Sequence, residues 1–219
     1  MRLLLLGATG RTGLHLLELA LERKYEVNVL VRDPAKIPEK FREKISLCEG
    51  SPTDAEKLGT AMEECEVVLS VLNISRTSDF PWSPLRTPTD FLSSSMNNII
   101  RECKFKGVKR LIVCTAWGVK ETKKDLPGWF RWLIDNSNIG PAYKDHETSE
   151  DLLAGSDLEW TVIRPVGLTN NPTIKKPKIS LGSHPKPNLT ISRRSVASYM
   201  LDIINNPDTI GKAFTLSSP

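Results

Sequence analysis

The chain lacks most of what marks a metal, membrane or nucleic-acid protein. It has four cysteines and three histidines in 219 residues. Cys48, Cys65, Cys103 and Cys114 form no C-x-x-C pair and stand within or beside apolar segments, with no histidine cluster near them. Neither a zinc site nor a disulfide framework is expected, and the four read as reduced, buried thiols. No run approaches the ~18 apolar residues of a transmembrane helix. The opening "MRLLLL" has the basic start of an export signal. Its apolar run ends after four residues at Gly7, too short for an h-region, and no A-x-A site follows. Charge of one sign is also missing: 30 Lys and Arg are scattered among 26 Asp and Glu, for a net charge of +4. A nucleic-acid binder concentrates its basic residues. The expectation is a cytoplasmic protein with no nucleic-acid and no membrane partner, and with room for a local anion site.

What is present is a regular alternation of apolar runs and amphipathic stretches. Strands are expected at 3–7, 26–32, 45–50, 66–73 and 158–165, at the start of 108–118, and in the terminal "KAFTL". "LTIS" is a further candidate. Helices are expected at 12–23, with Leu14, Leu17 and Leu21 on one face, at 54–64, at 144–154 and at 193–205. "DPAKI" opens a short helix, with Asp33 suited to the N-cap and Pro34 to the first helical position. A helix carrying Met96, Ile99, Ile100 and Cys103 should stop near Gly107. Strands this continuously apolar belong to a parallel sheet covered on both faces, an α/β doubly wound arrangement. The length suits one domain, 1–219, and no repeat or linker divides it. The irregular segments 74–92, 119–143 and 167–190 all follow carboxyl ends of strands, where open α/β sheets bind ligands.

"GATGRTG" (7–13) lies between the first strand and the first helix. Gly7 would permit the turn, Gly10 the close approach of a phosphate, and Gly13 the packing of helix on strand. The helix N-terminus then offers free N–H groups and a positive dipole end to a pyrophosphate. The second strand ends "VLVRDP". An acid there would hold the ribose 2′-OH of NAD, a cation the 2′-phosphate of NADP. Asp33 suits the helix cap better than the ribose. Arg32, with Arg11 and Lys36, would hold a phosphate dianion, which favours NADP(H) over NAD(H).

With "GATGRTG", "VLVRDPAKI", "SDLEWTVIRP" and "ISRRSVASYML" (191–201) in hand, the chain resembles the atypical short-chain dehydrogenase/reductases. More narrowly it is similar to the NmrA-like NAD(P)-binding group that includes biliverdin and flavin reductases. The resemblance runs over essentially the whole chain. It implies a Rossmann fold with a small C-terminal substrate lobe, formed by about 74–92, 119–143 and 167–190. It implies NADPH bound by Gly7, Thr9, Gly10, Arg11, Thr12, Arg32 and Lys36. Leu72 and Asn73, then Cys114, Thr115 and Ala116, would line the cofactor, and Pro165, Val166 and Gly167 would border the nicotinamide. Two catalytic candidates follow, Tyr143 and His146. The superfamily's Tyr-x-x-x-Lys relay is absent, because Glu147 stands four residues after Tyr143. His146, near the place of that lysine, reads either as a contact to nicotinamide ribose or substrate or as a surface helix residue. Ala116 and Val166 replace a serine and a histidine of the flavin-reducing relatives, and Ser51 stands where an acid near the adenine is usual.

Trp82, Trp117, Trp129, Phe130 and Trp132 are expected on the ligand side of the sheet, as a pocket for a flat substrate, a lid, or ordinary loop and interface packing. Trp160 reads as core, and His15 and His184 as exposed. Arg164 either orients the late loop or makes a structural ion pair. Two functions are carried forward. One is an NADPH-dependent reductase of a flat acceptor (flavin, quinone or tetrapyrrole), a monomer or weak homodimer. The other is a redox-sensing regulator that binds NADP(H) without turnover. A sugar-nucleotide epimerase fits less well, since the Tyr/Lys pair is missing and the chain is short for its substrate domain.

Overall fold

The computed structural model describes all 219 residues. In β1 (Arg2–Leu6), Leu3 and Leu5 enter one hydrophobic cluster and Leu4 and Leu6 another, each at most 1% exposed. Alternate side chains of a strand point to opposite faces, so an unbroken leucine run demands cover on both. α1 (Arg11–Glu22) and β2 (Glu26–Val31) complete the first strand–helix–strand unit, with β2 parallel to β1. Next come α2 (Glu39–Arg42), β3 (Ser46–Glu49), α3 (Ala55–Ala61), β4 (Val67–Ser70), α4 (Phe91–Lys106) and β5 (Arg110–Cys114). The second half holds α5 (Gly128–Asp135), α6 (Gly140–Ala154), β6 (Glu159–Pro165), β7 (Gly167–Thr169), β8 (Lys178–Leu181), β9 (Thr190–Ser192), α7 (Arg193–Asp202) and β10 (Lys212–Ser217).

Eight strands form one sheet in the order β3-β2-β1-β4-β5-β6-β10-β8, parallel except for β8, which lies antiparallel on β10. This is a Rossmann-type doubly wound sheet. α1 and α7 pack together over one face, while α3, α4 and α6 cover the other. The strand order reverses between β1 and β4. The loops leaving these two strands therefore diverge and open a crevice at the carboxyl edge.

Several local expectations hold. The Asp33 carboxylate accepts from Ala35 N–H at 3.0 Å, and Pro34 opens a 3₁₀ turn behind it. Gly107 ends α4 with φ +75°, a left-handed cap that glycine adopts without strain. Other details differ. The buried face of α1 is Gly13, Leu16, Leu17, Leu19 and Ala20, with Leu14 and Leu21 half-buried. α1 is covered by both the sheet and α7, which widens its apolar face. α6 begins at Gly140 rather than 144. "LTIS" contributes β9, which pairs with β7 in a separate two-stranded ribbon. β8 arises inside 169–188, where no periodicity announces it. The segment 119–143 contains a 3₁₀ stretch (Lys120–Asp125) and α5.

One buried carboxylate fixes the exit of the 74–92 segment. Asp145, on α6, accepts from the N–H groups of Leu92 and Ser93 at 2.6 and 3.2 Å. It caps α4 from another helix, while Asp90, next to that helix in sequence, makes no side-chain cap.

Candidate dinucleotide site

The glycine loop sits at the β1/β4 crevice. Gly7 has φ +87°, and a Cβ there would lie 2.9 Å from the Val71 carbonyl oxygen, which follows β4. A Cβ on Gly13 would stand 2.1 Å from the Gly7 oxygen and 2.8 Å from the Ala8 Cα. Both glycines are therefore required by backbone contact. Gly10, the residue before α1, supplies no side-chain cap, and the helix has no acid in its first turn. Its first internal hydrogen bond runs from Leu14 N–H to the Gly10 oxygen. The N–H groups of Arg11, Thr12 and Gly13 thus point out of the helix end without an acceptor in the chain. α3, α4 and α7 have carboxylate or hydroxyl caps, whereas α2, α5 and α6 lack one as α1 does, and only α1 follows the glycine turn at the crevice. An uncapped helix end over a glycine turn fits a pyrophosphate.

The cations are arranged differently from the expected cluster. Arg11 makes a two-pronged bond to Asp79, at 2.8 and 3.1 Å, from the glycine loop to the segment after β4. Lys36 pairs with Asp33 at 3.5 Å, both at the surface. Arg32 has no carboxylate partner and lies over the Phe91 ring, 5.7 Å from its centre. Arg32 is thus the free cation at the end of β2. Asp79 holds Arg11 where an arriving anion must compete for it, and its 68-residue separation from Arg11 hides it in the sequence.

Leu72 is half-buried and Asn73 exposed after β4, and Gly167 is exposed after β6. The Cys114 side chain is packed in the core, and burial pushes its thiol up to about 12. Cys65 and Cys103 are raised in the same way, and all four thiols are unpaired. Thr115 is buried and donates to Glu150 Oε1 at 2.7 Å. Glu150 is bound by Arg164 at 2.5 and 3.2 Å, and Arg164 reaches on to Glu121 at 2.5 Å. Of the two readings of Arg164, the structure shows the ion pair. Pro165 and Val166 are buried beyond it, and Ala116 is half-buried.

Tyr143 and His146 share α6, but they do not form a relay. The Tyr143 hydroxyl donates to the Trp117 carbonyl at 3.3 Å, and burial raises the phenol to about 12. Glu147 accepts from the Lys120 N–H. His146 is 3% exposed, which corrects its reading as a surface histidine. Its ring makes no hydrogen bond to the protein and borders a cavity of about 10 Å³, shared with Ser70, Leu72, Cys114 and Ser149. Burial lowers its pKa from 6.5 to about 4. The sign follows directly. Between pH 6.5 and 4 the unfolded chain takes up a proton that the folded chain refuses, so stability falls as pH falls. From pH 7 to pH 5 the expected loss is about 2 kcal/mol. Urea unfolding at both pH values, compared with His146→Leu, checks it. A variant with the same pH slope as the parent would remove His146 from the account.

The aromatics divide. Trp117 is 7% exposed and belongs to the core rather than the ligand side, with its indole N–H unpartnered. Phe130 packs edge-on against Tyr143. Trp82, Trp129 and Trp132 are 44%, 68% and 59% exposed, on segments that follow β4 and β5. The Trp82 indole donates to the Asn136 carbonyl, tying the two segments together. Trp160 is half-buried, and so is His15, whose pKa burial and Arg194 lower. His184 is exposed.

The fold and crevice define a Rossmann-type dinucleotide-binding protein. The chain belongs to the NAD(P)H-binding family, whose model matches residues 7–207. A short-chain dehydrogenase/reductase from Veillonella parvula, solved in complex with NADP, superposes with a TM-score of 0.81 at 20% identity, over 100% of this chain and 94% of that one. The anaerobilin reductase ChuY of Escherichia coli O157:H7 gives 0.80 at 20% identity, over 100% and 98%. An oxidoreductase of Pestalotiopsis microspora is 25% identical over 177 residues. This match covers 75% of the chain and 66% of that relative. A chloroplastic protein of Arabidopsis thaliana is 26% identical over 76% of the chain and 59% of its own length. The chain therefore spans about six tenths to two thirds of these curated relatives. The chain is accordingly an NAD(P)H-binding protein with an oxidoreductase-like fold. No helix is long and apolar enough to cross a membrane.

Proposed function

We propose that the protein is an NADPH-dependent reductase that passes hydride to a flat acceptor such as a flavin, quinone or tetrapyrrole. The observation that carries this reading is the uncapped N-terminus of α1 above the glycine turn, at the strand-order reversal. In it, Gly7, Thr9, Gly10 and Thr12 frame the pyrophosphate, with Arg11 beside them. Arg32 takes the 2′-phosphate, with Lys36 as its neighbour. Leu72 and Asn73, Cys114 to Ala116, and Pro165 to Gly167 border the remainder. NADPH, when bound, supplies the hydride. The chain binds and orients, and its carboxyl-edge segments exclude water. Tyr143, a neutral phenol held on a carbonyl with Glu147 where the relay's lysine would stand, moves no proton. The hydride brings two electrons to the acceptor, and solvent supplies the accompanying proton. His146 supports the floor under Leu72 and Cys114. The four unpaired thiols favour a cytoplasmic setting, and the reading needs no partner beyond acceptor and cofactor, as a monomer or weak homodimer.

Intrinsic tryptophan fluorescence, titrated with NADPH and NADH, tests the cofactor half. NADPH is expected to bind more tightly, and Arg32→Ala to weaken it about tenfold while leaving NADH nearly unchanged, the value of one lost charge-assisted hydrogen bond. Equal affinities in the parent protein would sink the phosphate assignment. NADPH oxidation by added flavin tests the other half. Binding without turnover of any flavin, quinone or tetrapyrrole would point to the regulator instead.

A further inference from the structure

The chain segments that leave β1 and β4 are the two walls of the crevice, and they meet at two levels. At the floor they meet through backbone. Val71 N–H donates to the Leu6 oxygen at 3.0 Å, and the Val71 carbonyl lies against Gly7. At the rim they meet through side chains. Arg11, the first residue of α1, gives both terminal nitrogens to the Asp79 carboxylate, at 2.8 and 3.1 Å. No other side-chain hydrogen bond joins residues 7–13 to residues 74–92. Between floor and rim runs the glycine turn, with the uncapped start of α1.

Asp79 is held out by a braced hairpin. Arg76 bridges to Leu85, Thr77 N–H donates to the Pro84 oxygen at 3.0 Å, and Arg86 N–H donates to the Ser75 oxygen at 2.8 Å. Inside the bend, the Ser78 and Ser83 hydroxyls bond at 2.5 Å, and Ser83 N–H donates to the Phe80 oxygen at 3.0 Å. The residues after α5 hold the bend from outside. The Trp82 indole donates to the Asn136 carbonyl at 2.8 Å, and Asn138 donates to the oxygens of Pro81, Trp82 and Ser83. A body anchored to α5 thus reaches across to the glycine turn with one carboxylate.

A third segment comes to the same place. Arg193, the first residue of α7, donates to Asn170 Oδ1 at 2.6 Å and to the Leu168 oxygen at 3.3 Å. Burial lowers its pKa, the Arg11 charge lowers it further, and Asp79 works against both. Asp79 therefore stands in the field of two guanidinium groups, at the starts of α1 and α7. The Arg11 and Asp79 side chains are nevertheless 58% and 79% exposed. A pair this exposed opens readily and is screened by salt. It adds little to the stability of the fold and suits a part that opens and closes.

We infer that Arg11 and Asp79 form a latch across the mouth of the dinucleotide crevice, which opens to admit the dinucleotide and recloses behind it. Asp79 is then a positioning residue of that site, acting through Arg11. The inference rests on the reading of the crevice as the dinucleotide site, and it holds whatever the acceptor is. A latch obstructs traffic in both directions, so it slows entry and exit together and leaves the affinity nearly unchanged.

Stopped-flow mixing with NADPH, read by tryptophan fluorescence, gives kon, and a chase with excess NADP⁺ gives koff. At low salt, Asp79→Asn is expected to raise both rates about three- to fivefold, the value of one exposed ion pair, with Kd within twofold of the parent. Asp79→Glu keeps the charge and should keep the parent's rates within twofold. High salt should bring the parent's koff up to that of Asp79→Asn, while the koff of the variant changes little. A structural role alone would move none of these rates, and the thermal midpoint of Asp79→Asn should match the parent's. Unchanged rates in Asp79→Asn would overturn the latch. So would a faster kon with koff unchanged, which would mean that the pair stays open once the dinucleotide is in. A parent protein that binds neither NADPH nor NADH would refute the crevice reading itself, and the latch with it.

Discussion

Arg164→Met is expected to lower the free energy of unfolding by about 3–5 kcal/mol, the cost of breaking a buried ion pair from one side. Arg164 and Glu150 are 3% and 4% exposed, and their two hydrogen bonds form the parallel fork that guanidinium and carboxylate allow. Burial works against the charge on Arg164, and Glu150 and then Glu121 more than restore it, so that its pKa is raised. Removing the arginine leaves the Glu150 carboxylate with the Thr115 hydroxyl as its one remaining hydrogen-bond partner. A cleft of about 370 Å³ runs alongside the pair. Water entering there would relieve part of the penalty, which places the expected value toward the lower end. Urea unfolding of Arg164→Met, Glu150→Leu and the double variant forms a cycle. The double variant should cost less than either single change added to the other, because it leaves no charge behind. A single-variant cost below about 1 kcal/mol would mean that the pair behaves as a solvated surface pair. The pair also has a functional side. Thr115, one of the residues proposed to border the cofactor, lies immediately after β5 and donates its hydroxyl to Glu150.

The parts legible in the sequence were those set by neighbours along the chain. The leucine run of β1 requires two covered faces, Asp33 caps its own turn, and Gly107 ends its own helix. The glycine loop was legible for the same reason, since strand, turn and helix are consecutive. The rest depends on contacts between distant segments. β8 is mostly exposed and is a strand because β10 offers it an edge, so its residues need no alternation of their own. Arg11 resembles a free phosphate ligand until the segment after β4 brings Asp79 to it. Trp117 stands in a loop by sequence, yet it is buried in the large hydrophobic cluster that also takes in Leu126, Ile134 and Ile191. His146 occupies a helix whose other polar residues suggest a surface. One of them, Asp145, is buried because it serves α4, and this places His146 inside as well.

The second large effect is expected at two glycines that look equivalent in the sequence. Gly13→Ala and Gly10→Ala should each raise the NADPH dissociation constant by more than ~100-fold, for different reasons. At least two charge-assisted bonds to the pyrophosphate are lost in each, worth about 1.5–3 kcal/mol apiece. In Gly13→Ala the new methyl would meet the Gly7 oxygen at 2.1 Å and the Ala8 Cα at 2.8 Å, both backbone. α1 must then move away from β1, which costs about 1–3 kcal/mol of stability as overpacking and dismantles the cradle with it. In Gly10→Ala the methyl meets nothing nearer than the Gly7 oxygen at 3.2 Å, and the residue keeps φ −78°, which alanine adopts readily. That chain should fold with nearly unchanged stability, and its methyl should occupy the space the phosphate needs. Gly128→Ala is the control, since its Cβ would find no atom within 4 Å except Arg131 Nη2 at 4.0 Å. Denaturation and NADPH titration of all three separate the two causes. A Gly10→Ala protein that binds NADPH as the parent does would show that the dinucleotide does not pass over this turn. The uncapped end of α1 would then need another ligand.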